Sequence, residues 1–180
     1  VHIVTGINNQ AAEVAGKKKI KIYYNADKNM FAKTGTCIFW VKPEWAVEEK
    51  KFYFLFSLFG PGTRCLLLKS YNGAKISLIL QNTQTKKTKV LSQSIADWKP
   101  GQWHQLALIW NKGSYRLFID GAACGAVTLA GLDKWNYIAL GTALPSWGHV
   151  GLNKTIIDEL TIFPEAFTTS DIKRNFDAVI

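Results

Sequence analysis

The sequence holds thirteen acidic residues and three histidines in 180 positions, and their spacing decides which reactions are open to it. Glycoside hydrolysis ordinarily needs two carboxylates, about 5–5.5 Å apart for retention or roughly 6.5–9.5 Å for inversion. On a strand, Glu-x-Asp or Glu-x-x-x-Glu sets such a pair on one face. No strand-like run carries one. Asp158 and Glu159 are adjacent, so a strand points them to opposite faces, and Glu44, Glu48 and Glu49 follow Pro43 in a loop. Asp120 falls in a turn, and Asp171 and Asp177 in a terminal helix. Nucleophilic chemistry fares no better: His2, His104 and His149 are accompanied by no Gly-x-Ser-x-Gly elbow. His104, inside a strand-like run, reads as a packed, hydrogen-bonded histidine. Cys37, Cys65 and Cys124 form no Cys-x-x-Cys pair and lack nearby zinc ligands. They read as buried small hydrophobes, with one disulfide plus a free thiol as the alternative. The sequence predicts no enzyme.

Binding chemistry is better supplied. Sugar rings stack their C–H faces on aromatic planes while planar polar side chains hold the hydroxyls. Of the seven Trp, Trp40, Trp103 and Trp110 lie in strand-like runs and are expected to pack there. Trp45, Trp98 and Trp135 lie in connecting segments, Trp98 being placed to plug an end of the fold. Trp147 is the leading platform, because Pro145, Ser146 and Gly148 surround it with neither strand nor helix period. His149 and Asn153 follow closely enough to share its surface, and Asn153-Lys154-Thr155 also matches a glycosylation acceptor. Polar partners are sought around the turn Asn72-Gly73, where Arg64, Lys69, Tyr71 and Asn72 are expected to cluster. Arg64 suits a carboxylate or sulfate, and Tyr71 can stack.

These side chains need elements to position them. GQWHQLALIWNKGSYRLFIDGAACG (101–125) holds two short apolar runs, Leu106–Trp110 and Tyr115–Ile119. A turn of roughly three residues at Asn111-Lys112-Gly113 joins them, and Asp120-Gly121 supplies a primed hairpin turn. Leu106, Leu108 and Trp110 share one face and Ala107 and Ile109 the other, so the first strand is predicted to be covered on both sides. Further strands are predicted at Val1–Val4, Ile20–Tyr24, Thr36–Lys42, Phe52–Leu58, Arg64–Ser70, Lys75–Gln81, Lys89–Gln93, Tyr137–Gly141 and Thr155–Phe163. A helix is predicted only near the end, with Thr168-Thr169-Ser170-Asp171 as cap and first turn and Ile172 and Phe176 facing inward. Short strands with turns between them indicate an antiparallel sandwich or barrel in one domain, residues 1–180. An apolar fraction of 48% rules out a disordered chain, and no apolar run approaches the roughly 20 residues a membrane helix needs. The net charge of +9 comes largely from KKKIK (17–21) and TKKTK (85–89), the latter at a hairpin tip beside an edge strand. It admits acidic polysaccharide, nucleic acid or anionic membrane as partners. The Lys runs lack interleaved aromatics, so nucleic acid is not expected, nor is a membrane. The chain opens with Val1 and shows no signal peptide, which suggests a domain excised from a longer chain.

TCIFWVKPEW (36–45), GQWHQLALIWNKGSYRLFIDG (101–121) and IIDELTIFPEAFTTSDI (156–172) together resemble the concanavalin A-like, laminin-G-like jelly-roll superfamily. The pattern is a Trp-Val-x-Pro strand, a Trp-His-x-x-Ala strand, an aromatic-x-Asp-Gly hairpin and a late Ile-Asp-Glu strand before a short helix. The resemblance implies a β-sandwich of two curved antiparallel sheets with a short C-terminal helix. Such domains serve as carbohydrate-binding modules, as adhesion domains or, in the glucanase branch, as enzymes with a carboxylate pair this chain lacks. Many members hold a structural calcium ion. Here the resemblance puts Asp158 at a ligand position, with Asn25 and Asp27 as candidate oxygen donors, but there is no dense Asp/Asn loop. The expected function is a non-catalytic carbohydrate-binding module for a polysaccharide, favouring acidic chains, within a larger secreted or surface protein. The competing reading is a protein–protein adhesion or structural sandwich domain.

Overall fold

Strands with apolar side chains on both faces must be covered on both sides. The computed structural model describes residues 2–14, 22–26, 33–132, 134–141 and 155–179, and it meets this need with two packed antiparallel sheets. In chain order the strands are β1 (His2–Thr5), β2 (Gln10–Val14), β3 (Ile22–Asn25), β4 (Thr34–Pro43), β5 (Tyr53–Gly60), β6 (Thr63–Lys69) and β7 (Lys75–Asn82). There follow β8 (Lys87–Ser94), β9 (His104–Asn111), β10 (Ser114–Ile119), β11 (Ala122–Thr128), β12 (Tyr137–Leu140) and β13 (Thr155–Phe163), then helix α1 (Thr169–Asp177). One sheet runs β1-β2-β13-β4-β9-β10-β11 and the other β3-β12-β5-β6-β7-β8. The late strands are thus inserted among the early ones: β13 lies between β2 and β4, and β12 between β3 and β5. This is the all-β sandwich with one short C-terminal helix that the family resemblance implies, and it decides between the sandwich and the barrel that the strand pattern left open.

Alternation along β9 explains the layering. Leu106, Leu108 and Trp110 enter the main core between the sheets. Ala107 and Ile109 point outward and are covered by α1 through a second cluster with Ile38, Phe118 and Ile172. Trp40 stacks on Phe176 of the helix at 5.6 Å. The helix begins at a capping box: the Thr168 hydroxyl accepts from the Asp171 amide, and the Asp171 carboxylate accepts from the Thr168 amide. The β9–β10 turn is tighter than expected. Lys112 and Gly113 alone form it, with φ of 46° and 84°, the positive pair a type I′ hairpin requires. Asp120 and Gly121 make the second primed turn, at φ 50° and 74°.

Two strands escape the sequence pattern. QAAEV in β2 and AACGAVT in β11 are built from small residues with little intrinsic strand preference, and their pairing with β13 and β10 places them. The segment rich in Lys at 85–89 behaves as expected, since β8 is an edge of its sheet. Cys37 and Cys65 are buried free thiols and Cys124 is a half-buried one. Burial pushes the Cys124 thiol up to about 11, and drives both core thiols higher still. Trp45, Trp98 and Trp135 are all buried. Among the described residues no helix is long and apolar enough to cross a membrane.

Candidate functional site

Residues directly opposite in neighbouring strands share a face, and the register of the six-stranded sheet lines up one such row across all its strands. Asn25 pairs with Tyr137, Tyr137 with Phe59, Phe59 with Arg64, Arg64 with Gln81, and Gln81 with Thr88. The neighbouring positions Ile138, Leu58, Cys65 and Leu80 enter the core between the sheets. The row therefore lies on the opposite, outward face and runs about 24 Å across the sheet. Tyr137 is 55% exposed and Tyr23, one row along, 48%. Between them lies an open hollow of about 670 Å³, bordered by Tyr23, Phe59, Arg64, Asn136, Tyr137 and the turn residues Gly60, Gly62, Thr63 and Thr83.

Backbone contacts fix the hollow. The Asn136 amide donates to the Phe59 carbonyl at 2.7 Å, and the Thr63 hydroxyl to the Lys134 carbonyl at 3.3 Å. A Cβ at Gly60 would overlap the Lys134 carbonyl oxygen, so only glycine lets segment 134–137 lie against the β5–β6 turn. The Thr83 amide and hydroxyl both donate to the Gly62 carbonyl, at 2.7 and 3.0 Å, which brings the β7–β8 turn alongside. No Asp or Glu borders the hollow among the described residues.

The carboxylates sit elsewhere. A bulge interrupts β13 between Asp158 and Thr161, with Glu159 at φ 50°. It breaks strict alternation, so that Asp158 and Glu159 line one cleft of about 700 Å³, where β1, β2 and β13 face β3 and β12. The Asp158 carboxylate is already engaged: Oδ2 accepts from the Ile7 amide at 2.8 Å and Oδ1 from the Glu159 amide at 2.9 Å. Glu49 accepts from the Tyr53 hydroxyl at 2.6 Å. Burial raises its carboxyl, but that hydroxyl, the Ala46 amide and Lys51 outweigh burial and hold it below the usual range. His104 stacks on Trp98 at 3.8 Å and shares a hydrogen bond with Asp120 through Nδ1 at 2.8 Å, the packed role expected of it. Of the calcium candidates, Asn25 ends the row on one sheet and Asp158 belongs to the other; Asp27 lies outside the described residues. Among the described residues no group of three or more His, Cys, Asp or Glu could hold a metal ion.

The residues expected to cluster at Asn72-Gly73 are divided. Tyr71 and Asn72 are at that turn, Tyr71 against Phe52 at 5.7 Å. Arg64 is at the far end of β6, about 16 Å away, in the hollow. Lys69 is buried, following Cys65 and Leu67 on the core side of β6, and its ammonium donates to the Glu49 carbonyl. It secures the loop before β5 instead of facing a ligand. Trp147, His149 and Asn153 lie outside the described residues. Tyr23, Phe59, Asn136 and Tyr137 were not anticipated; the available signal was the outward parity of Tyr137 in a strand whose Ile138 and Leu140 are apolar.

A family profile described as the concanavalin A-like lectin/glucanases superfamily, of laminin G type, matches residues 16–173. No curated protein sequence matches. Among solved structures, the botulinum neurotoxin serotype D binding domain superposes with a TM-score of 0.72 at 19% identity, over 91% of this chain and 42% of that one. The receptor binding domain of botulinum neurotoxin D gives 0.72 at 17%, over 98% and 47%. That of the mosaic serotype C/D gives 0.73 at 17%, over 98% and 44%. The chain thus spans less than half the length of these structures, and at such identity the likeness is one of fold. With the two-sheet architecture and a family match over most of its length, the chain belongs to the concanavalin A-like lectin/glucanase superfamily.

Proposed function

We propose that the domain is a non-catalytic carbohydrate-binding module acting within a larger secreted or surface-attached protein. One observation carries the reading: the outward row of the six-stranded sheet sets exposed Tyr137 beside Phe59, Arg64 and Asn136 around an open hollow. Aromatic planes with planar polar groups between them are what a sugar ring and its hydroxyls require, and nothing bordering the hollow among the described residues is a carboxylate. That inventory supports binding without bond cleavage at the hollow. Trp147 and His149 belong to the same proposal on residue type and sequence context alone.

A glycan array spanning neutral and acidic polysaccharides tests it, with Tyr137→Ala as the decisive variant. Stacking on an aromatic is worth about 1–3 kcal/mol in nucleic-acid systems, a scale borrowed here for sugars. Loss of Tyr137 should then weaken glycan binding roughly tenfold or more while the melting temperature stays in place. A domain that binds no glycan, or whose binding ignores Tyr137, would return the hollow to being ordinary surface and favour an adhesion role.

A further inference from the structure

Charge along the row narrows which sugars fit. Arg64 is half-buried between Phe59 and Gln81, and among the described residues no carboxylate lies within ion-pair reach of it. A partly desolvated guanidinium without a counter-ion is costly, and an anion offsets that cost. Its planar fork matches two oxygens of a carboxylate or sulfate. Directly opposite in the register, Gln81 keeps Oε1 buried with no hydrogen-bond partner among the described residues. Two exposed lysines are neighbours in sequence of residues that border the hollow: Lys134, whose carbonyl accepts from Thr63, and Lys86, three residues after Thr83.

We infer that the hollow selects acidic sugars, with the Arg64 guanidinium taking a carboxylate or sulfate while the ring packs against Tyr137 and Phe59. This rests on the glycan-binding reading and specifies its ligand class.

Calorimetric titration with oligogalacturonides, and with the same oligomers fully methyl-esterified, isolates the carboxylate. κ-Carrageenan oligomers and their desulfated counterparts isolate the sulfate. The acidic member of at least one pair should bind about tenfold more tightly, the scale of a charge-assisted contact. Arg64→Gln should erase the difference and Arg64→Lys keep part of it, which still decides the matter if the Gln variant folds poorly. Tyr137→Ala should weaken both members of the pair. Equal binding of acidic and neutral members, both dependent on Tyr137, would leave the glycan reading standing and sink this inference. A preference that survives Arg64→Gln and vanishes when Lys86, Lys87 and Lys89 become Gln would overturn it in favour of the basic turn. Binding of none of the four probes overturns it too, and the array then judges the broader reading separately.

Discussion

Asp158 shows how a residue with catalytic potential can be committed to architecture. Its two oxygens are held by the Ile7 and Glu159 amides, and a Cβ on Gly6 would overlap Oδ2, so the β1–β2 turn closes directly onto the carboxylate. Asp158→Ala should therefore cost about 1–3 kcal/mol of stability by leaving those amides unpaired. A denaturation midpoint that drops, with no reducing ends released from any bound polysaccharide before or after the change, is the expected pair of results. Turnover that disappears in the variant would make Asp158 a catalyst instead. Lys69 was legible in principle, since Cys65 and Leu67 fix the core-facing parity of its strand. Reading Lys as a surface residue by type overrode that parity. The alignment of Arg64 and Tyr137 in one row was not legible. Those positions share the row only because Phe59 lies between them and pairs with both, and nothing local in the sequence states the register.

At the scale of elements, strands rich in aromatic and branched residues were visible, whereas β2 and β11 depend on their neighbours for placement. The capping box of α1 could be read directly, because a helix start is a local event. The hollow, by contrast, depends on three segments meeting at the β5–β6 turn, segment 134–137 against Gly60 and the β7–β8 turn against Gly62. Gly60→Ala should push segment 134–137 off the β5–β6 turn, at a cost of about 1–3 kcal/mol typical of overpacking. Asn136 and Tyr137 would be displaced together, so glycan affinity should fall although neither is mutated. A variant with unchanged melting and unchanged affinity would show that the turn tolerates the methyl group and does not set the site.

For the molecule as a whole, an excess of positive charge favours capture of polyanions at a distance and fades with salt. Changing Lys86, Lys87 and Lys89 to Gln should flatten the salt dependence of acidic-glycan binding and leave neutral-glycan affinity untouched. An unaltered salt slope would confine these cations to keeping the β8 edge soluble. The insertion of β12 and β13 among earlier strands has a consequence in time. Strands β1, β2 and β3 have no sheet to join until residues 137–163 have arrived, because only those late strands connect them to β4 and β5. The contiguous block β4–β11 can pair beforehand, mostly through hairpins, while the N-terminal strands wait on contacts more than a hundred residues away. Pulse-labelled hydrogen exchange during refolding should find amides of β9 and β10 protected before those of β1 to β3. Simultaneous protection would mean that the sandwich closes in a single step. On a ribosome the same order makes the strands of this domain that emerge first the last to be secured.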